Sequence, residues 1–153
     1  MKLRIQDLVV GHDDIDAQHE TILRRFADVQ QTIDAGDSAA LGAALARVWD
    51  VMVGHFATED ALMEEFAYPE RVAHRAAHQL FLEDLRALVR EREAQGLSEE
   101  VVAWSLERLP EWLAFHIQTN DAPFARFVVR KTARDMNATA LGDARTDRRP
   151  NDS

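Results

Sequence analysis

The sequence has no cysteine, which excludes disulfides and thiolate metal ligands together. It also has no apolar run long enough for a signal peptide or a membrane span, the N-terminus MKLRIQDLVVGHDD being broken by charge. A cytoplasmic protein without membrane insertion is therefore expected. Positive charge is in deficit, with 18 Lys and Arg against 27 Asp and Glu and a formal net charge of −9. Nucleic acid and anionic membranes both require a basic footprint, so this balance argues against either as a partner. Strand-like alternation and internal repeats are lacking as well. What is present is 153 residues at 46% hydrophobic content, enough for one domain with a sizeable core. Any metal site must be built from His, Asp and Glu, a set that suits iron, zinc or manganese.

Apolar residues recur at helical spacing through most of the chain. Residues 1–14 read as an N-terminal arm in which Leu8, Val9 and Val10 pack across the body of the protein. Asp13 or Asp14 caps a first helix, about 15–34, with Ile15, His19, Ile22, Phe26, Val29 and Ile33 on one stripe. Ala35-Gly36-Asp37 ends it, and Ser38 caps a second helix to about Phe66. That helix turns Leu41, Leu45, Val48, Met52, His55, Phe56, Glu59 and Met63 inward. Pro69 disfavours helix at Tyr68 and suits the first turn of the next, so a corner falls there. The third helix, 70–95, turns Val72, His74, His78, Phe81, Leu82, Leu85 and Val89 inward and stops at Gly96. Ser98 starts a fourth, kinked at Pro110 and stopped after His116 by TNDAP. A short C-terminal helix spans about 124–133, and the polar segment 134–153 is expected to be a disordered tail. The fold class is all-α, an antiparallel up-down-up-down four-helix bundle over 15–133.

Within this frame two pairs, His55 with Glu59 and His74 with His78, are each spaced i,i+4 and share a helix face. Taken alone, either pair reads as a solvated helix face. The distances to the corners change that. His19 lies 17 residues before Gly36 and His55 19 after it; Glu59 lies 8 before residue 67 and His74 7 after. His78 lies 18 before Gly96 and His116 20 after. At about 1.5 Å per residue these mismatches amount to about 3 Å, so all four helices present a ligand at one level. Asp121 reaches that level if the helix breaks at TNDAP. Five histidines and two carboxylates exceed the needs of one ion, whereas two ions bridged by both carboxylates use all seven. Such a pair leaves one metal with an open position, where a small diatomic molecule binds.

The pattern His19, then His55-Phe-Ala-Thr-Glu59, then His74-Arg-Ala-Ala-His78, then His116-Ile-Gln-Thr-Asn-Asp121 resembles the hemerythrin family, and bacterial single-domain hemerythrins in particular. Ile15-Asp16-Ala-Gln18-His19 matches the usual surroundings of the first ligand, and the similarity covers about 11–129. The resemblance implies two iron ions with a solvent-derived bridge. His74, His78 and His116 would hold one iron, His19 and His55 the other, with Glu59 and Asp121 as bridges and dioxygen as ligand. It also implies an apolar oxygen pocket of Phe56, Met63, Trp112 and Leu113, although each is equally an ordinary core residue. The sequence departs from the family at Arg4, near where bacterial members often carry tryptophan, and at His12, where an aliphatic residue is usual.

Reversible dioxygen binding is the expected function, for carriage, storage or delivery to an oxygen-using enzyme. Oxygen-activating di-iron bundles are carboxylate-rich, and this set has only two carboxylates, which argues against an enzyme. A di-iron oxidase, a nitric oxide reductase and an oxygen or nitric oxide sensor are the competing readings.

Overall fold

The computed structural model describes residues 3–146. A 3-10 turn, Ile5–Leu8, precedes α1 (Asp13–Asp34), α2 (Ser38–Glu65) and α3 (Arg71–Gln95). A fourth rod is assembled from α4 (Glu99–Ala103), a π turn (Trp104–Arg108), α5 (Leu109–His116), a second π turn (Ile117–Asp121) and α6 (Ala122–Thr146). Trp104, Leu109, Ile117 and Ala122, at the junctions, all keep right-handed helical dihedrals, so the rod is continuous. The protein is an all-α four-helix bundle, and no strand occurs among the described residues.

The helix ends are chemically explicit and differ in detail from the sequence expectation. The cap of α1 is His12, whose Nδ1 accepts the Ile15 N–H at 3.4 Å, in place of the expected Asp13 or Asp14. Asp16 turns back instead and accepts the N–H groups of Val10 (2.7 Å) and Gly11 (3.2 Å), tying the arm to α1. Asp37 rather than Ser38 caps α2, accepting the Ala40 N–H at 2.9 Å. Ser98 caps α4 as expected. At the α2–α3 corner the chain turns through Ala67, which sits at φ 49°, a left-handed conformation unusual for a residue with a side chain. Tyr68 is buried beside it, its ring 5.0 Å from those of Phe124 and Phe127.

All eight inward residues expected on α2 are buried, from Leu41 through Met63. Leu41, Leu45, Val48, Met52 and Phe56 pack with Phe81, Leu85 and Leu88 of α3 and with Val101, Leu109, Leu113 and Ile117 of the fourth rod. Each such side chain contributes about 1.5–3 kcal/mol by leaving water. Val72 departs from expectation and is 75% exposed. It precedes His74 by two residues, about 200° around the helix, so the two cannot both face inward.

The stop expected after His116 does not occur, and at Pro110, the site of the expected kink, a π turn lies just ahead of the proline. The wide turn 104–108 accommodates Pro110, which has no N–H to donate and whose ring crowds the preceding turn. At the other end α6 continues to Thr146, well past the expected stop at Ala133 and into the segment expected to be disordered. Its first turns are anchored by Phe124, Ala125 and Val128, and no proline follows before Thr146, so the helix propagates although residues 132–144 are exposed. Residues 147–153 of that expected tail lie outside the described residues.

Candidate metal centre

Each rod delivers side chains to one point in the core. His19 comes from α1, His55 and Glu59 from α2, His74 and His78 from α3, His116 from α5, and Asp121 from the end of the second π turn. All seven are at most 2% exposed. The Asp121 carboxylate lies at the middle. Its Oδ1 is 2.9 Å from His116 Nε2 and 3.1 Å from His74 Nε2, while its Oδ2 is 3.1 Å from His19 Nε2 and 3.7 Å from His55 Nε2. Glu59 Oε2 faces His78 Nε2 at 3.0 Å, His74 Nε2 at 3.4 Å and His55 Nε2 at 3.5 Å.

The second π turn is what admits Asp121. In a regular α-helix a residue five positions on is rotated by about 140°, away from the face of the first. Here the Ala122 N–H reaches back five residues to the Ile117 carbonyl, and the extra residue taken up by the wide turn returns Asp121 to the face of His116. The expected break at TNDAP is thus a widened turn within an unbroken rod.

Buried polar atoms normally find hydrogen-bond partners, and several here do not. Both oxygens of Glu59 and the Nε2 atoms of His55, His78 and His116 are buried and have none. They converge as lone pairs without enough protons between them, a donor set suited to a cation. Two overlapping groups have ligand atoms within 4.8 Å of one another: Glu59, His74, His78, His116 and Asp121, and His19, His55 and Asp121.

Around this layer, other groups hold the outer ring nitrogens. His19 Nδ1 donates to the Leu8 carbonyl at 2.7 Å, so the buried end of the arm orients a core histidine. His55 Nδ1 donates to Gln18 Oε1 at 2.8 Å, and Gln18 Nε2 donates onward to Thr58 Oγ1 at 2.9 Å. His116 Nδ1 meets the Asn120 side-chain amide at 3.0 Å. The Leu8 carbonyl could not be assigned this role from sequence, because a backbone acceptor leaves no residue-type signal.

Protonation reflects the crowding. Burial, and then the Asp121 charge, pushes the Glu59 carboxyl up to about 8. Burial opposes charge on His74, yet the adjacent Asp121 and Glu59 carboxylates outweigh it and raise this residue to about 9. Burial, with the neighbouring rings His74 and His116, lowers His78 to about 2, and burial also lowers His55. Burial works against charge on Asp121, but the four histidines packed around it, His116, His19, His55 and His74, hold it well below the usual carboxylate range.

Of the four expected pocket residues, three lie in one apolar cluster. Phe56 stacks on the His78 ring at 3.9 Å between centroids, and Trp112 stacks on the His116 ring at 4.6 Å. Leu113 is fully buried in the same cluster. Met63 is not with them; it packs with Ile15, Tyr68, Phe124 and Val128 in a separate cluster.

Comparison with known proteins agrees with this chemistry. The family described as the hemerythrin HHE cation binding domain matches residues 10–128. The chain is 32% identical over 120 residues to a bacteriohemerythrin of Stenotrophomonas maltophilia, covering 78% of this chain and 76% of that protein. It is 29% identical over 119 residues to a bacteriohemerythrin of Pseudomonas aeruginosa, covering 77% and 75%. It is 27% identical over 112 residues to myohemerythrin-1 of Phascolopsis gouldii, covering 73% and 82%.

Proposed function

The chain belongs to the hemerythrin family, and from that membership we propose that it binds dioxygen reversibly at a non-haem pair of iron ions held by the seven buried residues. One observation carries the ligand allotment: the two oxygens of Asp121 face different histidines. Oδ1, toward His74 and His116, would serve an iron also held by His78. Oδ2, toward His19 and His55, would serve the second. Glu59 faces histidines of both groups and would be shared between the ions. With three histidines on one side and two on the other, the second iron would have room for a ligand.

Iron in this set supplies the electrons and the open position that dioxygen needs. The chain's own residues do the rest. The two carboxylates offset part of the charge of two ferrous ions in a core that would otherwise not tolerate it. The Leu8 carbonyl and Gln18 keep a proton on the Nδ1 atoms of His19 and His55, so that each Nε2 is free to ligate. Phe56, Trp112 and Leu113 form an apolar wall that keeps water from the centre. With five histidines and only two carboxylates, the set favours binding over oxygen cleavage, and carriage, storage or delivery to an oxygen-using enzyme follows as the role.

The test is anaerobic loading with iron(II), metal analysis, and one cycle of oxygen followed by vacuum, watched by visible absorption. Two irons per chain and a band that appears under oxygen and fades under vacuum are expected. A ratio near one, or repeated turnover of oxygen or nitric oxide with an electron donor and no reversible band, would replace this reading with a mononuclear site or an enzyme.

A further inference from the structure

Across the five core histidines, the outer nitrogens do not have equal partners. His19 has a backbone carbonyl, His55 and His116 have neutral side-chain amides, and His74 Nδ1 has none. His78 differs. Its Nδ1 is buried without a hydrogen-bond partner, and so is Oδ1 of Asp60; the two atoms lie 3.4 Å apart. A nitrogen able to donate and an oxygen able only to accept, both removed from water and each without a hydrogen-bond partner, are a hydrogen bond awaiting its proton. When Nε2 of a histidine gives its lone pair to a metal, the ring proton resides on Nδ1.

We propose that Asp60 is a positioning residue for the metal centre, forming a carboxylate–histidine–metal arrangement through His78. The inference rests on the di-iron reading above. Asp60 follows Glu59 on α2, and the step of about 100° between neighbours turns it from the metal layer toward α3, where His78 stands. The His78 ring is held against it by stacking on Phe56. Asp60 is held in turn by Arg75, whose Nη2 donates to the Asp60 backbone carbonyl at 3.3 Å and whose Nε lies 3.6 Å from Oδ1. Glu64 Oε1 pairs with the same guanidinium at 2.7 Å.

The consequence is an asymmetry between the two iron sites. Among these outer partners only Asp60 is a carboxylate, and a charge-assisted bond makes the ring a stronger donor than an amide does. That donation favours the ferric state of the iron held by His74, His78 and His116. Arg75 works the other way, because its charge drains part of the carboxylate's basicity.

The test uses full-length protein loaded either with zinc(II), for proton–nitrogen correlation spectra, or with iron(II), for redox titration. In the zinc-loaded protein the His78 Nδ1–H should resonate far downfield, and Asp60→Asn should move it upfield. In the iron-loaded protein Asp60→Asn should raise the reduction potential and weaken iron retention about 10-fold or more. Arg75→Gln should lower the potential. The Asp60 side chain is 39% exposed and Asn has nearly its shape, so the variant should fold, as circular dichroism would check. If Asp60 served only to pair with Arg75, Asp60→Asn would leave the His78 signal unchanged. That result would overturn the proposal even where the wild type takes up two irons and cycles oxygen. A wild type that holds neither zinc nor iron would overturn both this inference and the function it rests on.

Discussion

Stripping the metal with a chelator leaves seven buried ligands facing one another, and protons then take the place of the cations. In the metal-free fold Glu59 is raised from 4.5 to about 8 and His74 from 6.5 to about 9. Both folded values exceed the unfolded ones, so the stability each contributes is fully present below its unfolded value and is lost as pH rises through the folded one. Between pH 7 and 8 the folded chain keeps about 1.4 to 1.9 protons on this pair, and the unfolded chain at most about a quarter of one. His78 and His55, both lowered, are uncharged in the folded chain but together hold about half a proton in the unfolded chain at pH 7, which takes that much off the slope. The net difference of about 1.2–1.5 protons makes stability fall by about 2 kcal/mol per pH unit, at about 1.4 per proton. For a chain of this length that is about 4–8 °C in Tm per unit. Differential scanning calorimetry of metal-free protein across this window measures the slope directly. The metal-loaded protein should lack it, because the ions displace both protons, and loading at pH 7 should release about two protons per centre in a pH-stat. A metal-free Tm that is flat from pH 6.5 to 8, or release of less than one proton, would refute the reasoning.

Two glycines of α2 should respond to alanine with opposite signs. Gly54 has open space where a Cβ would go, so Gly54→Ala should gain about 0.5–1 kcal/mol from helix propensity. At Gly42 a Cβ would lie 2.8 Å from Arg92 Cζ, displacing a guanidinium that donates to the Ser38 carbonyl, so Gly42→Ala should lose about 1 kcal/mol net. Urea unfolding of the two variants decides it, and equal gains would show that Arg92 moves aside freely. At the centre, Glu59→Ala should reduce iron per chain far more than His12→Ala, since His12 spends its Nδ1 on the α1 cap. Equal losses in metal analysis would assign His12 to the site.

Much of this protein follows from local chemistry and counting. The helical period of α2 is regular enough that its inward residues could be read singly, and caps such as Ser98 and stops such as Gly96 act within a few residues of sequence. The meeting of four rods at one level follows from short connections and a constant rise per residue, which is why His19, His55, Glu59, His74, His78 and His116 could be brought together on paper. Tertiary structure decided whatever depends on a choice among local alternatives of similar energy. A wide turn or a break would each have brought Asp121 to its place, and packing of Leu113 and Ile117 on one side and of Phe124, Ala125 and Val128 on the other favoured the continuous rod. His12 outcompeted Asp13 and Asp14 as a cap because Asp16 pulls the arm back onto α1, a contact no short window of sequence ranks. The same limit hid the outer partners of the histidines. The Leu8 carbonyl has no side-chain identity, and Asp60 reads as one more acidic residue until α3 is laid beside it and His78 Nδ1 comes within 3.4 Å. Periodicity reports which face of a helix turns inward, whereas the atom it meets there is set by the neighbouring helix.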